Sequence, residues 1–214
     1  MLDITLPQRP DWLAPLDDPR NETILSAAFE VFVDKGLDGA TMGDVAARAR
    51  VSKETLYSRF DSKEGLFYAL LAWGARRLPS PLQAIESGDF SDPVEALRVL
   101  AHECLTIMLK PESIAVYRLV ISIAERMPEV VKVYYDFSCG ESRPMFERVA
   151  RALVADGVIV DDDIDVLVDA FQGLLAGNRL HEIKIGLKPL PSEAEIARDA
   201  ERAAQLFLKA FAPT

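Results

Sequence analysis

The sequence predicts an all-α protein of about nine helices, and three observations carry that reading. Apolar residues recur at helical spacing along most of the 214 residues. No stretch alternates with period two beyond a few residues, so strands have no signal. Caps, glycines and prolines interrupt the pattern at intervals suited to short helices. This punctuation divides the chain into a flexible N-terminal arm over 1–17, a small helical unit over 18–78 and a larger one over 79–214.

The small unit starts at Asp18-Pro19, a cap followed by proline at the first helical position. Ile24, Ala28, Phe29 and Phe32 give one apolar stripe, ending at Lys35-Gly36, where glycine suits the left-handed position after a helix. Thr41, with Asp44 three residues on, starts a second helix at Met42, with Val45, Ala46 and Ala49 inward. It stops near Arg50. Ser52 caps a third helix, Lys53 to Phe60, with Leu56 and Phe60 buried and Thr55, Ser58 and Arg59 on the other side. Asp61 or Ser62 starts a fourth, running to about Leu78. Phe29, Phe32, Val45, Ala46, Val51, Leu56, Phe60 and Phe67 then share one core. Two eight-residue helices are marginal alone and need a reason to exist. The usual reason is a helix-turn-helix, here about 42–60, whose second helix enters the DNA major groove.

Beyond it, Leu78-Pro79-Ser80-Pro81 breaks or kinks the fourth helix. Asp92-Pro93-x-Glu95 restarts a helix that ends near Lys110-Pro111. Further helices follow over 114–127 and from Pro128 to about Asp156, then a turn at Gly157. Asp161, Asp162 and Asp163 start a long apolar helix over about 166–186, and Ser192-x-x-Glu195 is a capping box for the last helix, to Phe211.

Composition excludes several classes. No run approaches 18 apolar residues, so no membrane span is expected, and Met1 to Pro15 lacks the blocks of a signal peptide. Cys104 and Cys139 are the only cysteines, which excludes a disulfide framework and suits a cytoplasmic setting. The net charge of −10 does not suit a protein that coats nucleic acid. Its distribution is uneven. Residues 20–78 hold nine Lys/Arg and eight Asp/Glu, net +1; the remainder hold 15 and 26, net −11. DNA binding by this head would therefore rest on a few placed contacts.

Residues Ala27-Ala28-Phe29-x-x-Phe32-x-x-x-Gly36, Thr41-Met42-x-x-Val45-Ala46 and Val51-Ser52-Lys53-x-Thr55-Leu56-Tyr57-x-x-Phe60-x-x-Lys63-Glu64-x-Leu66 resemble the TetR/AcrR family of transcriptional regulators. The similarity runs without a gap over about 20–78. It departs at Arg50, where the family often has glycine; a left-handed conformation there would cost roughly 1 kcal/mol. Downstream, Tyr117-Arg118-Leu119-Val120-Ile121-x-x-x-Ala124-x-x-x-Pro128-Glu129 and Phe171-x-Gly173-Leu174-Leu175-x-Gly177 are similar to an AefR-type C-terminal domain. The resemblance implies a homodimer on a double-stranded DNA operator, an effector pocket between the middle helices and dimerisation through the last two.

The candidate DNA contacts are Thr41, Arg50, Ser52, Lys53, Thr55, Tyr57, Ser58, Arg59 and Lys63. Lys53 or Arg59 could donate to guanine, and Thr55 could hydrogen-bond a base or meet a thymine methyl. The resemblance assigns phosphates to Thr41, Tyr57 and Lys63. For a small, mainly apolar effector the candidates are His102, Met108, Tyr117, Arg118, Tyr134 and Phe137, each of which also fits as ordinary core or an internal ion pair. For the dimer they are Phe171, Leu174, Gly177, Asn178 and Phe207. An operator with half-sites roughly 34 Å apart needs a two-fold reader.

Enzymatic chemistry has no support. His102 and Cys104 point about 200° apart on a helix. The histidines lack metal-ligand spacing, and there is no glycine-rich phosphate loop. No metal or cofactor is expected. The expectation is a ligand-responsive repressor; the alternative is a helical protein-interaction module with a degenerate helix-turn-helix.

Overall fold

The structure, a computed structural model, describes residues 18–75, 80–136 and 142–213; the expected arm over 1–17 lies outside them. Among the described residues all regular structure is helical, in eleven helices: α1 Pro19–Gly39, α2 Met42–Ala49, α3 Lys53–Phe60, α4 Lys63–Ala75, α5 Ser80–Ser87, α6 Pro93–Met108, α7 Pro111–Ile123, α8 Pro128–Tyr135, α9 Ser142–Ala155, α10 Ile164–Lys184 and α11 Glu193–Ala210. Two differences raise the number from nine. A helix, α5, opens at Ser80-Pro81, because proline is compatible with a first helical turn. The single helix expected from Pro128 to about Asp156 is two, α8 and α9.

The helices pack into two compact units, which divide the chain differently from the expected boundary at 78/79. The first takes residues 18–75 together with 115–136; the second takes 80–114 and 142–213.

In the first unit the caps act as the sequence predicts. Asp18 accepts from the Arg20 N–H, and the Thr41–Asp44 box is reciprocal. Ser52 accepts from the Thr55 N–H. The Gly65 N–H donates to Ser62 Oγ at 3.0 Å, which makes Ser62 the residue that starts α4. Gly36, at φ 70°, interrupts α1. Phe32, Val45, Ala46, Leu56, Phe60 and Phe67 are buried in one cluster, with Phe29 and Val51 at its edge. Phe32 and Phe67 meet edge to face at 5.5 Å. Leu119, Val120 and Ile123 of α7 and Val130 and Val133 of α8 belong to the same core. Two polar contacts reinforce that attachment. Arg126 pairs with Asp38 at 2.7 Å. Burial and the nearby Glu129 carboxylate push the Tyr68 phenol up to about 12.

The second unit packs α6 against α9 and α11, α5 against α6 and α9, and α10 against α9 and α11. Its centre is aromatic. Phe146 stacks on Phe171 at 4.5 Å, and Phe207 meets Phe146 edge-on at 5.5 Å, Phe171 at 5.7 Å and Phe211 at 5.0 Å. Asp92, Asp163 and Ser192 cap α6, α10 and α11. Arg179 of α10 reaches across to α11, donating to Glu195 at 2.7 Å and Asp199 at 2.9 Å.

Glu195 thus serves the Ser192 cap and Arg179 at once. The Ser192 N–H, the Arg179 guanidinium and the Ser192 hydroxyl lower its carboxyl from an ordinary 4.5 to about 2. A carboxylate depressed in the folded state contributes stability above its unfolded value and loses it as pH falls through the folded one. The Glu195 contribution should therefore disappear between pH 4.5 and about 2. Denaturant titrations across that range should show a shallower acid loss in Glu195→Gln than in wild type. Parallel acid limbs would exclude Glu195 as a source of the pH dependence.

Candidate nucleic-acid interface

The α2–α3 pair is a helix-turn-helix closed by residues 50–52. Arg50 ends α2 in the left-handed region (φ 57°, ψ 42°), with its N–H on the Ala46 and Ala47 carbonyls. The Val51 N–H returns to the Ala46 carbonyl at 3.0 Å. These bonds match a Schellman-type helix end, which normally favours glycine. Holding an arginine there costs about 1 kcal/mol. Arg50→Gly should recover about that much stability in chemical denaturation. If the Arg50 guanidinium contacts DNA, the same variant should also bind more weakly. Unchanged stability would mean that the turn relieves the strain elsewhere.

Leu56 and Phe60 seat α3 on the core at 0 % and 1 % exposure. Lys53, Glu54, Tyr57 and Ser58 face outward, and Thr55 and Arg59 are half-buried. Several of the predicted contacts already have partners. Thr41 Oγ1 accepts from the Asp44 N–H at 3.1 Å and donates to its carboxylate at 2.8 Å. Ser52 Oγ accepts from the Thr55 N–H at 3.1 Å, and Ser58 Oγ donates to the Thr55 carbonyl at 3.0 Å. The Glu54 backbone N–H and the Ser52 hydroxyl hold the Glu54 carboxyl below its usual range, so it stays an anion on this face.

The cations divide into two groups. Arg20 pairs with Asp18, Lys35 with Asp44 and Arg48 with Glu30. Arg59 donates to Asp18 at 3.0 Å and to Asn21 Oδ1 at 2.6 Å, which ties α3 back to α1. Lys63 donates to the carbonyls of Leu37 at 2.6 Å and Ala40 at 3.1 Å, closing the end of α1. Arg59 and Lys63, expected as DNA contacts, thus also have internal partners that hold the head together. Their charges were legible in the sequence, but their partners, 23 to 41 positions away, were not. The Lys53 and Arg50 side chains make no hydrogen bond or ion pair among the described residues, and the Tyr57 side chain stays 49 % exposed. Asn21, the buried polar residue at 1 % exposure that receives Arg59, escaped the sequence reading because a single asparagine has no periodic signal.

The other predicted sites are spread through the two units. Tyr117 and Tyr134 lie together in the first, ring centroids 6.5 Å apart, and Arg118 there is exposed. His102 and Met108 are half-buried on α6 in the second unit; Phe137 lies outside the described residues. Phe171 and Phe207 are corrected from dimer contacts to core. They are 2 % and 0 % exposed within one chain and have no surface to offer a partner. Leu174 is half-buried, and Gly177 and Asn178 are exposed. Gly177 needs its lack of a side chain for φ 46°, which breaks the run of α10.

Residues 24–70, which include this helix-turn-helix, match the family described as bacterial regulatory proteins, tetR family. Residues 95–213 match the AefR-like transcriptional repressor C-terminal domain. The chain belongs to the TetR family. Like its relatives it is a transcriptional regulator with a DNA-binding helix-turn-helix. The uncharacterised HTH-type transcriptional regulator YvkB of Bacillus subtilis is 26 % identical over 195 residues, covering 89 % of this chain and 96 % of that one. A solved TetR-family structure from Mesorhizobium loti shares the fold with a TM-score of 0.79 at 24 % identity, over 91 % of this chain and 97 % of that one. The flavonoid-responsive regulator FrrA matches at a TM-score of 0.69 and 29 % identity, over 91 % and 97 % of the two chains. Among the described residues no helix is long and apolar enough to cross a membrane, and no cluster of side chains has the make-up of a metal site.

Proposed function

We propose that this TetR-family regulator is a homodimeric cytoplasmic repressor that leaves a near-palindromic operator when a small, mainly apolar effector binds. The observation that carries the DNA half is the outward face of α3. There Lys53 and Tyr57 are exposed and unengaged, while Leu56 and Phe60 anchor the helix from behind. The match to an AefR-like repressor domain supports repression. The likeness to FrrA supports an effector of planar, aromatic kind, with the neighbouring Tyr117 and Tyr134 of the first unit as candidate contacts. The dimer is supported by a stripe on α10. Val166, Ala170, Gly173 and Gly177 follow one helical face, Val166 is 48 % exposed, and a side chain at either glycine would meet no atom within 4 Å. Leu206 on α11 is 43 % exposed.

An effector acts here by binding one conformation better than another, so operator affinity falls by the same coupling factor as effector affinity. Selection of genomic fragments with the purified protein should enrich a near-palindromic sequence, which flavonoids or other hydrophobic metabolites that raise its thermal midpoint should release. Failure to enrich any sequence at low salt would favour the protein-interaction module.

A further inference from the structure

We infer that Gly43 is a positioning residue, which lays Lys53 across the start of α2 and turns its amine toward the DNA backbone and away from base edges. The inference rests on the DNA-binding reading of the head. Gly43 is the second residue of α2, and Lys53 lies where its side chain would be. A Cβ on Gly43 would stand 2.8 Å from Lys53 Cε, 3.1 Å from Nζ and 3.5 Å from Thr41 Oγ1. Lys53 opens α3, where residues of a recognition helix ordinarily meet bases, whereas the preceding helix crosses the sugar–phosphate backbone. Folded back onto α2, the Lys53 chain carries its charge to the helix that runs along phosphates. A compact, strongly hydrated ammonium with rotatable donors suits a phosphate, where no fixed fork is required.

The atoms crowding Gly43 are the far end of a flexible side chain. A methyl group there would displace the amine without forcing backbone apart, and alanine favours a helix over glycine. The consequence falls on DNA binding and not on folding. Base reading is left to the remainder of the α3 face, Thr55 foremost.

The test uses the full chain and the operator fragment that it enriches. Gly43→Ala and Lys53→Ala should weaken binding to all sequences by a similar factor. Each should make the dependence of log K on log salt shallower by about 0.9 per half-site. The thermal midpoint of Gly43→Ala should be no lower than that of wild type. In a Lys53→Ala background, Gly43→Ala should change neither affinity nor slope. The inference is overturned if Gly43→Ala binds like wild type, or if its effect persists without Lys53. It is equally overturned if Lys53→Ala alters sequence preference while leaving the salt slope intact. A wild-type protein that enriches no DNA overturns the DNA-binding reading itself.

Discussion

Truncation of Tyr57 to alanine should weaken operator binding by about 1.5–3 kcal/mol per half-site, the range for a hydrogen bond to a charged group. It should leave stability within about 0.5 kcal/mol, as for surface substitutions generally. Tyr57 stands half-exposed on the outward side of α3, one residue after Leu56, which is fully buried. The ring is thus carried by a fixed backbone, and truncating it opens no cavity. Its phenol makes no hydrogen bond among the described residues, so a phosphate oxygen would meet a donor with no partner to give up. Binding isotherms of the alanine and phenylalanine variants at one salt concentration separate the two contributions. Tyr57→Phe should lose most of what Tyr57→Ala loses, equally for matched and mismatched sites. Full binding by the phenylalanine variant would show that the ring, and not the hydroxyl, is what DNA meets.

Phe207→Ala should cost about 3–5 kcal/mol, the range for removing a buried aromatic ring from a core. Phe207 is completely buried and touches Phe146, Phe171 and Phe211, so the vacated space borders three rings that cannot all collapse into it. Against a total stability of about 5–15 kcal/mol, such a loss is a large share. Leu206 is next to it in sequence and points outward, so Leu206→Ala should spare stability and lower the apparent dimer affinity. Guanidinium unfolding for the first and sedimentation for the second give the comparison. A Phe207→Ala cost under about 1 kcal/mol would contradict the packing described for the aromatic centre.

These two sites also show where sequence reasoning reaches and where it stops. The boundaries of α2, α3, α6 and α11 were legible because a cap is a contact over two or three residues. The core of the head was legible for a similar reason, since helical period alone puts Phe32, Val45, Leu56 and Phe67 inward. Period does not say which surface an apolar face meets. Phe171 and Phe207 were expected at a partner chain, and it is tertiary packing that puts them in their own core. The same limit hid the attachment of α7 and α8 to the first unit, made through residues some 50 to 100 positions away from the helices they cover. Among the DNA candidates, residue type identified the cations. Their internal pairing is a three-dimensional fact, and it gives Arg59 and Lys63 partners within the head.

That pairing bears on how the regulator finds its target. Sliding and hopping along DNA depend on sequence-independent attraction to phosphates. A head whose cations are, among the described residues, mostly committed internally would have little of it to offer. Such a protein would make brief excursions onto random DNA and return quickly to free solution, so its search is dominated by repeated three-dimensional encounters. The genome then sequesters few copies, and occupancy of the operator follows protein concentration closely.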